Sequence, residues 1–271
     1  MKHDMRQFLK PLLEKSIEPA NAFPCGMTNP LAVEAVIKLL RPHATEKGLI
    51  RLGPLGDGGY LVPDDLDGIS ACFSPGVSNI SGFEKDCAQR GMQVYLADRS
   101  VDGPAEEHSL FSFTKRYLGA LTNDDFMTMD SWVDATAHND SSDLLLQIDI
   151  EGYEYEVFLS MTDALLRRFR IIVAEFHYLD QFWNRPFFAI AEKAFRKILQ
   201  THKCVHIHPN NCCGQISKRG LVIPRVMEFT FYRTDRLLAD GYQTQFPHPL
   251  DSDNTNNPSI SLPSCWYQYV T

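Results

Sequence analysis

The stretch DLLLQIDIEGYEYEVFLS, residues 143–160, passes from an apolar run to a cluster of acids with almost no transition. Such an apolar run is typical of a strand that is buried on both faces, as in a parallel sheet. The residues from Glu154 carry apolar side chains at helical spacing and predict a helix to about Leu166. Asp149 and Glu151 therefore stand where a buried strand ends, which is where open parallel sheets bind ligands.

Strand-like and helix-like segments alternate on both sides of this stretch. Strands are predicted at residues 69–74, 92–98, 108–115, 143–149 and 170–176, and helices at 81–91, 154–166 and 186–202. This alternation favours an α/β fold in which helices cover both faces of a parallel sheet. Two further strands, 204–209 and 226–233, follow each other without a helix between them and predict a hairpin-like end to the sheet.

The chain divides into three segments. Residues 1–48 are predicted to form a helical N-terminal extension, in which Asn29 caps a helix that has Pro30 in its first turn. Residues 49–235 contain the alternating elements and form the predicted α/β domain. Residues 236–271 are rich in Pro, Asn and Ser, and we expect this tail to run over the surface of the same domain.

Composition excludes several classes of protein. The 271 residues are 44% hydrophobic, which is enough for one large α/β domain or two small ones. The net charge of −8, without a basic block, argues against nucleic-acid binding. No apolar stretch reaches membrane-spanning length and no secretory signal is recognisable, so a cytoplasmic protein is expected. The 7 scattered cysteines favour reduced thiols over a disulfide framework.

Polar residues recur where the predicted strands end. They are Gly76, Asn79 and Ser81 after the first strand, Asp98 after the second, Asp149 and Glu151 after the fourth, Glu175 and His177 after the fifth, and Asn210 and Asn211 after residues 204–209. Because the carboxyl ends of parallel strands meet at one edge of a sheet, we expect these residues to surround one site.

The first two strand ends form a nucleotide-binding pattern. Gly76 would let the backbone approach a ligand, and Asp98, 22 residues further on, could accept hydrogen bonds from ribose hydroxyls. The turn lacks the GxGxxG motif that cradles a pyrophosphate, and the chain has no P-loop. A glycine turn and a ribose acid without a pyrophosphate cradle fit S-adenosylmethionine.

The opening stretch also resembles the FkbM-type class I methyltransferases, whose signature is a hydrophobic strand ending in D-x-E-G-x-E. The resemblance extends over about residues 50–235, through the segments RLGPLGDGGYLVP (51–63), MDSW (129–132), HIHPNN (206–211) and PRVMEFTF (224–231). It indicates the branch of the family with a DGGY segment. It implies a Rossmann-like, seven-stranded, mostly parallel sheet whose last strand is antiparallel. The turn SPGVSN departs from the more usual D-x-G-A-N-x-G of the family.

The resemblance implies roles on the cofactor side. The residues implied there are Gly76, Asn79 and Ser81 at the methionine part, Asp98 at the ribose, Phe113 at the adenine, and Asp57 and Tyr60 over the cofactor or acceptor pocket. For Phe113 a place in the core is an equally open interpretation.

The acceptor side is expected at Asp149, Glu175 and His177, as a catalytic base or as ligands of Mg²⁺ or Mn²⁺. An aliphatic hydroxyl is a poor nucleophile until its proton is removed, so a base or a metal ion is useful. Substrate contacts are predicted at Glu151, Asp57, His208, Asn210 and Asn211; His206 and His208 should share one face of their strand. For Glu154 the sequence favours a structural role as an acid at a helix N-terminus.

The sequence thus predicts an S-adenosylmethionine-dependent O-methyltransferase acting on a hydroxyl of a sugar, a glycan or a glycosylated small molecule. Two alternatives stay open: an N- or carboxyl-methyltransferase of the same fold, and a non-catalytic binding module. The N-terminal helices could cover the active site, pair with a second subunit to form a homodimer, or do both.

Overall fold

The computed structural model describes residues 25–77, 79–136 and 141–268. The elements of the first half are α1 (Pro30–Leu39), β1 (Leu49–Leu52), β2 (Tyr60–Pro63), β3 (Ile69–Pro75), α2 (Gly82–Gln89), β4 (Gln93–Ala97), β5 (Phe111–Thr114), β6 (Tyr117–Leu118), β7 (Phe126–Met127) and α3 (Met129–Thr136). Those of the second half are β8 (Asp143–Ile148), α4 (Glu154–Ser160), α5 (Asp163–Leu166), β9 (Phe169–Phe176), a 3₁₀ helix (Leu179–Trp183), α6 (Arg185–Ile198), β10 (His202–Pro209), β11 (Gln215–Lys218), β12 (Leu221–Pro224) and β13 (Met227–Arg233), followed by short 3₁₀ turns at Thr234–Arg236 and Ser264–Trp266.

The central sheet has seven strands in the order β10-β13-β9-β8-β3-β4-β5. The pairs from β9 to β5 are all parallel, whereas β13 runs antiparallel to both of its neighbours. The last strand of the sheet along the chain is therefore inserted between the fifth and the sixth. This arrangement confirms the predicted Rossmann-like sheet with an antiparallel last strand.

The sheet is buried on both faces, as the apolar runs predicted. All eight residues of β9 are buried. Neighbouring residues of β3 belong to different clusters: Phe73 packs into the larger core, together with Phe158 and Phe195, and Cys72 packs into the smaller core on the other face. The strands are thus fixed from both sides, and their carboxyl ends form one rigid edge.

Several boundaries differ from the sequence predictions. The helix predicted at 154–166 is interrupted, because the side chain of Thr162 accepts a hydrogen bond from the Leu165 amide and starts a separate helix, α5. The loop between β10 and β13 contains the β11–β12 hairpin, which the sequence did not predict.

The N-terminal cap behaves as predicted. The Asn29 side chain accepts a hydrogen bond from the Leu31 amide (3.0 Å) at the start of α1, and Pro30 occupies the first turn. Residues 1–24 of the predicted helical extension lie outside the described residues. In the described parts of the chain, the helices are too short or too polar to cross a membrane.

The C-terminal tail is mostly irregular and packs against the sheet edge. Trp266 is fully buried, and its indole Nε1 donates to the Val222 carbonyl (3.0 Å). The Asn211 side chain bonds the backbone of Thr255 and Asn257. These contacts hold the tail over the carboxyl end of β10 and the beginning of β13.

Candidate active site

A cavity of about 550 Å³ opens at the carboxyl edge of the sheet. Its walls come from the residues that follow β3, β4 and β8, and from the short strands β6 and β7. Gly76, Asp98, Asp149 and Glu151 all line it, so the structure brings together residues from three of the predicted strand ends.

The turn after β3 requires glycine at position 76. Gly76 has a positive φ of 94°, and a Cβ there would lie 1.6 Å from the carbonyl oxygen of Asp149. Its amide donates to the Ala97 carbonyl at 3.0 Å. The turn therefore lies directly against the end of β8, as glycine alone permits.

Asp98 is half-buried and held by local donors. Its Oδ2 accepts from the Val77 amide (3.2 Å), and its Oδ1 accepts from both the amide and the hydroxyl of Ser100 (2.6 Å each). Because a carboxylate offers about four acceptor sites and three are used, one site on Oδ2 remains for a donor inside the cavity.

Part of the cavity wall is apolar and aromatic. Tyr117, Leu118 and Phe126 line it, and the rings of Tyr117 and Phe126 lie 5.4 Å apart. Phe113, which the sequence assigned to the adenine, instead lines a separate pocket with Phe111. The aromatic wall is thus built 4 to 13 residues beyond the predicted position, on β6 and β7.

The other predicted cofactor-side residues do not line the cavity. Asn79 is exposed, and Ser81 is buried at the start of α2 with no hydrogen-bond partner for its Oγ among the described residues. The Tyr60 hydroxyl is buried and accepts from Gln147 Nε2 (3.3 Å). Asp57 is exposed, yet its charge contributes to raising the pKa of Asp149.

The acids and the histidine predicted for the acceptor side meet at the ends of β8 and β9. His177 Nε2 lies 3.5 Å from Glu151 Oε2, 3.7 Å from Glu175 Oε1 and 3.9 Å from Asp149 Oδ1. We call these four residues the acid–histidine corner. Two of them, Asp149 and Glu151, also face the cavity.

The backbone around this corner adopts an uncommon conformation. Glu151 and Tyr178 have positive φ values of 57° and 58°, and Gly152 has one of 105°. The Tyr178 ring lies so close to Gly152 that a Cβ there would stand 2.4 Å from it. Left-handed backbone at non-glycine residues persists only when the surrounding contacts impose it, and it clusters at functional sites.

Burial and mutual repulsion shift the pKa values of the corner. Burial raises the pKa of Asp149 to about 7, against the attraction of His177. Burial, and then the charges of Asp149 and Glu228, raise the pKa of Glu175 well above its usual range. Burial alone would lower the pKa of His177, but Glu154 and Asp149 outweigh it and the pKa is raised. Such shifts are typical of groups that exchange protons near neutrality.

Two further acids, which were not assigned to the site from the sequence, belong to this region. Glu154 is fully buried and lies 3.3 Å from His177 Nδ1. Glu228 of β13 stands directly opposite Glu175, and burial raises its pKa to about 7. The available signal for Glu228 was its position as the one charged residue in the mostly apolar run VMEFTF.

The residues after β10 divide between the corner and the tail. Asn210 Nδ2 donates to Glu175 Oε1 (3.0 Å) and so contacts the corner. The Asn211 side-chain amide donates hydrogen bonds to the backbone carbonyls of Thr255 and Asn257 in the tail. His206 and His208 share one face, as predicted, and both approach Asp251 of the tail, at 2.8 Å and 3.7 Å.

The strand order and the cavity between the glycine turn and the strand-end acids define a class I methyltransferase fold. The family model described as the methyltransferase FkbM domain matches residues 90–205. This part of the chain is therefore similar to an FkbM methyltransferase domain.

Two solved structures illustrate how far the similarity reaches. Magnesium protoporphyrin IX methyltransferase (ChlM) from Synechocystis PCC 6803, with bound SAH, aligns with 15% identity and a TM-score of 0.34, over 85% of this chain and 100% of that chain. EvdMO1 aligns with 15% identity and a TM-score of 0.28, over 78% of this chain and 49% of that chain. No curated protein matches the chain.

Proposed function

We propose that the protein is an O-methyltransferase that uses S-adenosylmethionine and acts on a hydroxyl of a sugar, a glycan or a glycosylated small molecule. Asp149 is the observation that carries the proposal. It lines the cavity and lies 3.9 Å from His177 Nε2, so one carboxylate faces both the cavity and the acid–histidine corner. The resemblance to the FkbM family favours a sugar, and the many oxygen acceptors of the corner suit a ligand with several hydroxyl donors.

The residues of the cavity fit the methyl donor. Gly76 supplies a turn without a side chain, Asp98 has one acceptor site left for a ribose hydroxyl, and Leu118 and Phe126 offer an apolar wall to an adenine. The volume of about 550 Å³ is in the range of small-molecule sites. When bound, S-adenosylmethionine supplies a methyl group on a positively charged sulfur.

The corner would activate the acceptor hydroxyl. His177 Nε2 or the Asp149 carboxylate would accept the hydroxyl proton, because both lie beside the cavity and their pKa values are near neutrality or raised. Glu151 and Glu175 would stabilise the positive charge of a protonated His177, at 3.5 and 3.7 Å. Asn210 would keep Glu175 in place through its hydrogen bond. Methyl transfer otherwise requires little beyond alignment of the reacting groups.

A divalent cation is a second way in which the corner could acidify the hydroxyl. Asp149 Oδ1 and Glu175 Oε2 are buried without a hydrogen-bond partner in the described parts of the chain. Ligand atoms of Asp149, Glu151 and His177 lie within 4.8 Å of one another. Carboxylate oxygens with one imidazole suit Mg²⁺ or Mn²⁺, which would lower the pKa of a coordinated hydroxyl.

Calorimetric titration with S-adenosylhomocysteine, with and without Mg²⁺ or Mn²⁺, tests the donor site. We expect micromolar binding that Asp98→Ala abolishes and that Asp134→Ala, a change at an exposed acid of α3, leaves intact. Wild-type protein that fails to bind would contradict the proposal and favour the partner-binding module.

Methyl transfer from labelled S-adenosylmethionine to a panel of monosaccharides, glycosides, amines and carboxylates tests the acceptor. We expect methyl ethers of sugar hydroxyls, and we expect Asp149→Asn and His177→Gln to lower kcat while S-adenosylhomocysteine still binds. Methylated amines or esters as the only products would refute the hydroxyl acceptor. An unchanged kcat in both variants would refute the roles given to these two residues.

A further inference from the structure

Glu154 connects the turn after β8 to His177. Its side chain is fully buried, and its Oε1 accepts hydrogen bonds from the amides of Ile150 (2.9 Å) and Gly152 (3.2 Å). The same oxygen lies 3.3 Å from His177 Nδ1. Glu154 therefore contacts both the turn that carries Asp149 and Glu151 and the ring that faces them.

Two buried polar atoms of this pair have no hydrogen-bond partner among the described residues. They are Glu154 Oε2 and His177 Nδ1. A buried donor or acceptor without a partner loses its hydration and gains nothing in return. An Nδ1–H directed at the Glu154 carboxylate would provide the missing partner for both side chains after a small rotation of the ring.

We infer that Glu154 is a positioning residue that holds the proton of His177 on Nδ1 and so leaves the Nε2 lone pair facing Asp149, Glu151 and Glu175. The inference rests on the proposed function, because that function is what uses Nε2 as a base or as a metal ligand. Either use requires the other ring nitrogen to carry the proton.

The contacts on the two sides of the ring favour this tautomer. Glu154 gives the shortest carboxylate contact, 3.3 Å, and is fully buried, whereas the carboxylates near Nε2 are 3.5 to 3.9 Å away and one of them, Glu151, is exposed. A proton on Nε2 would direct the Nδ1 lone pair at a buried carboxylate, which is repulsive. The main chain of His177 is also fixed, because the Tyr155 hydroxyl donates to its carbonyl at 2.6 Å.

This arrangement also explains where the proton of the acceptor hydroxyl goes during the reaction. A proton taken from the acceptor hydroxyl would bind Nε2, and the proton on Nδ1 would stay on the ring. The buried Glu154 carboxylate would then offset the charge of the imidazolium. A purely structural Glu154 would bond the Ile150 and Gly152 amides and would have no influence on the tautomer.

Glu154→Gln separates the two roles. The Gln carbonyl can take the place of Oε1 and accept from the Ile150 and Gly152 amides. It brings no negative charge to Nδ1, however, so the carboxylates near Nε2 become the stronger acceptors of the ring proton. The matched control is Glu156→Gln, the same chemical change at an exposed position of α4.

The readout is the long-range ¹H–¹⁵N spectrum of protein labelled at histidine, recorded at the alkaline plateau of the His177 titration and assigned with His177→Gln. We expect the Nδ1–H tautomer in the wild type and in Glu156→Gln, and the Nε2–H tautomer in Glu154→Gln. An Nε2–H tautomer in the wild type overturns the inference, even if Glu154→Gln does not fold. An Nδ1–H tautomer that survives in folded Glu154→Gln also overturns it. The spectrum needs no acceptor, so its result is independent of the methyl-transfer assay.

Discussion

The backbone of Gly76 lies against the carbonyl oxygen of Asp149, at a distance that would place a Cβ 1.6 Å from that oxygen. The contact joins the turn after β3 to the turn after β8. The two halves of the site, which the proposed function assigns to the methyl donor and to the acceptor, are therefore in direct backbone contact.

Replacing Gly76 with alanine should disrupt both halves. The added Cβ would displace the Asp149 backbone, and the φ of 94° is unfavourable for any L-residue. We expect affinity for S-adenosylhomocysteine to fall more than about tenfold, a cost of about 1.4 kcal/mol or more. Calorimetry measures the affinity, and near-ultraviolet circular dichroism checks the fold. Gly103→Ala is the control, since a Cβ there would meet no atom within 4 Å; equal affinities in the two variants would contradict the assignment.

Phe126 and Phe113 make a matched pair for testing where the proposed adenine site lies. Phe126 lines the cavity, whereas Phe113 lines the neighbouring pocket. Removing an aromatic ring that stacks on a base typically costs about 1–3 kcal/mol. Phe126→Ala should therefore weaken binding of S-adenosylhomocysteine roughly tenfold or more, and Phe113→Ala should leave it nearly unchanged. The reverse result would place the adenine beside Phe113, as the sequence predicted.

His202 should make the fold sensitive to acid. Its ring is fully buried, hydrogen-bonded to Thr201 Oγ1 (2.8 Å) and to the Phe169 carbonyl (2.7 Å), and burial lowers its pKa to about 4. Because the folded pKa lies below the unfolded value of about 6.5, the neutral ring contributes stability above pH 6.5 that is lost as the pH falls towards 4.

The loss can be measured by denaturant unfolding at several pH values. Between pH 7 and pH 4.5 we expect His202 to contribute about 2 kcal/mol of the decrease in the free energy of unfolding. His202→Gln, which cannot titrate, should show a correspondingly shallower dependence. Identical slopes for wild type and variant, or a His202 ring that titrates above pH 6 by NMR, would contradict the prediction.

The cap of α1 gives a local test of stability. The Asn29 side chain accepts from the Leu31 amide, and loss of such a cap typically costs about 1 kcal/mol. Asn29→Ala should lower the free energy of unfolding by about that amount, and Asn29→Asp, which can still accept the bond, should stay close to the wild type. Destabilisation by both variants to the same extent would show that the cap is not the cause.

The strand-end acids could be predicted because they depend on one general property of parallel sheets. If Asp149 and Glu175 end neighbouring buried strands, the parallel sheet brings them close together. His177, two residues after Glu175, is then expected at the same place. The glycine turn and Asp98 were predictable for the same reason.

The remaining parts of the candidate site depend on irregular backbone, which has no recognisable sequence pattern. The position of Phe126 depends on the two short strands β6 and β7, each of two residues. The contact of Glu154 with His177 depends on the left-handed turn at Glu151 and Gly152, and a helix-start acid looks the same without it. Glu228 could be recognised only after its strand was known to lie beside β9.

The insertion of β13 between β9 and β10 also has a consequence for synthesis on the ribosome. In the described sheet β10 pairs only with β13, which emerges about twenty residues later. Until residues 227–233 leave the exit tunnel, β9 and β10 both present open strand edges, and open edges invite pairing with other chains. A nascent chain that is terminated before β13 would therefore be a substrate for chaperones and proteases rather than a partly active enzyme.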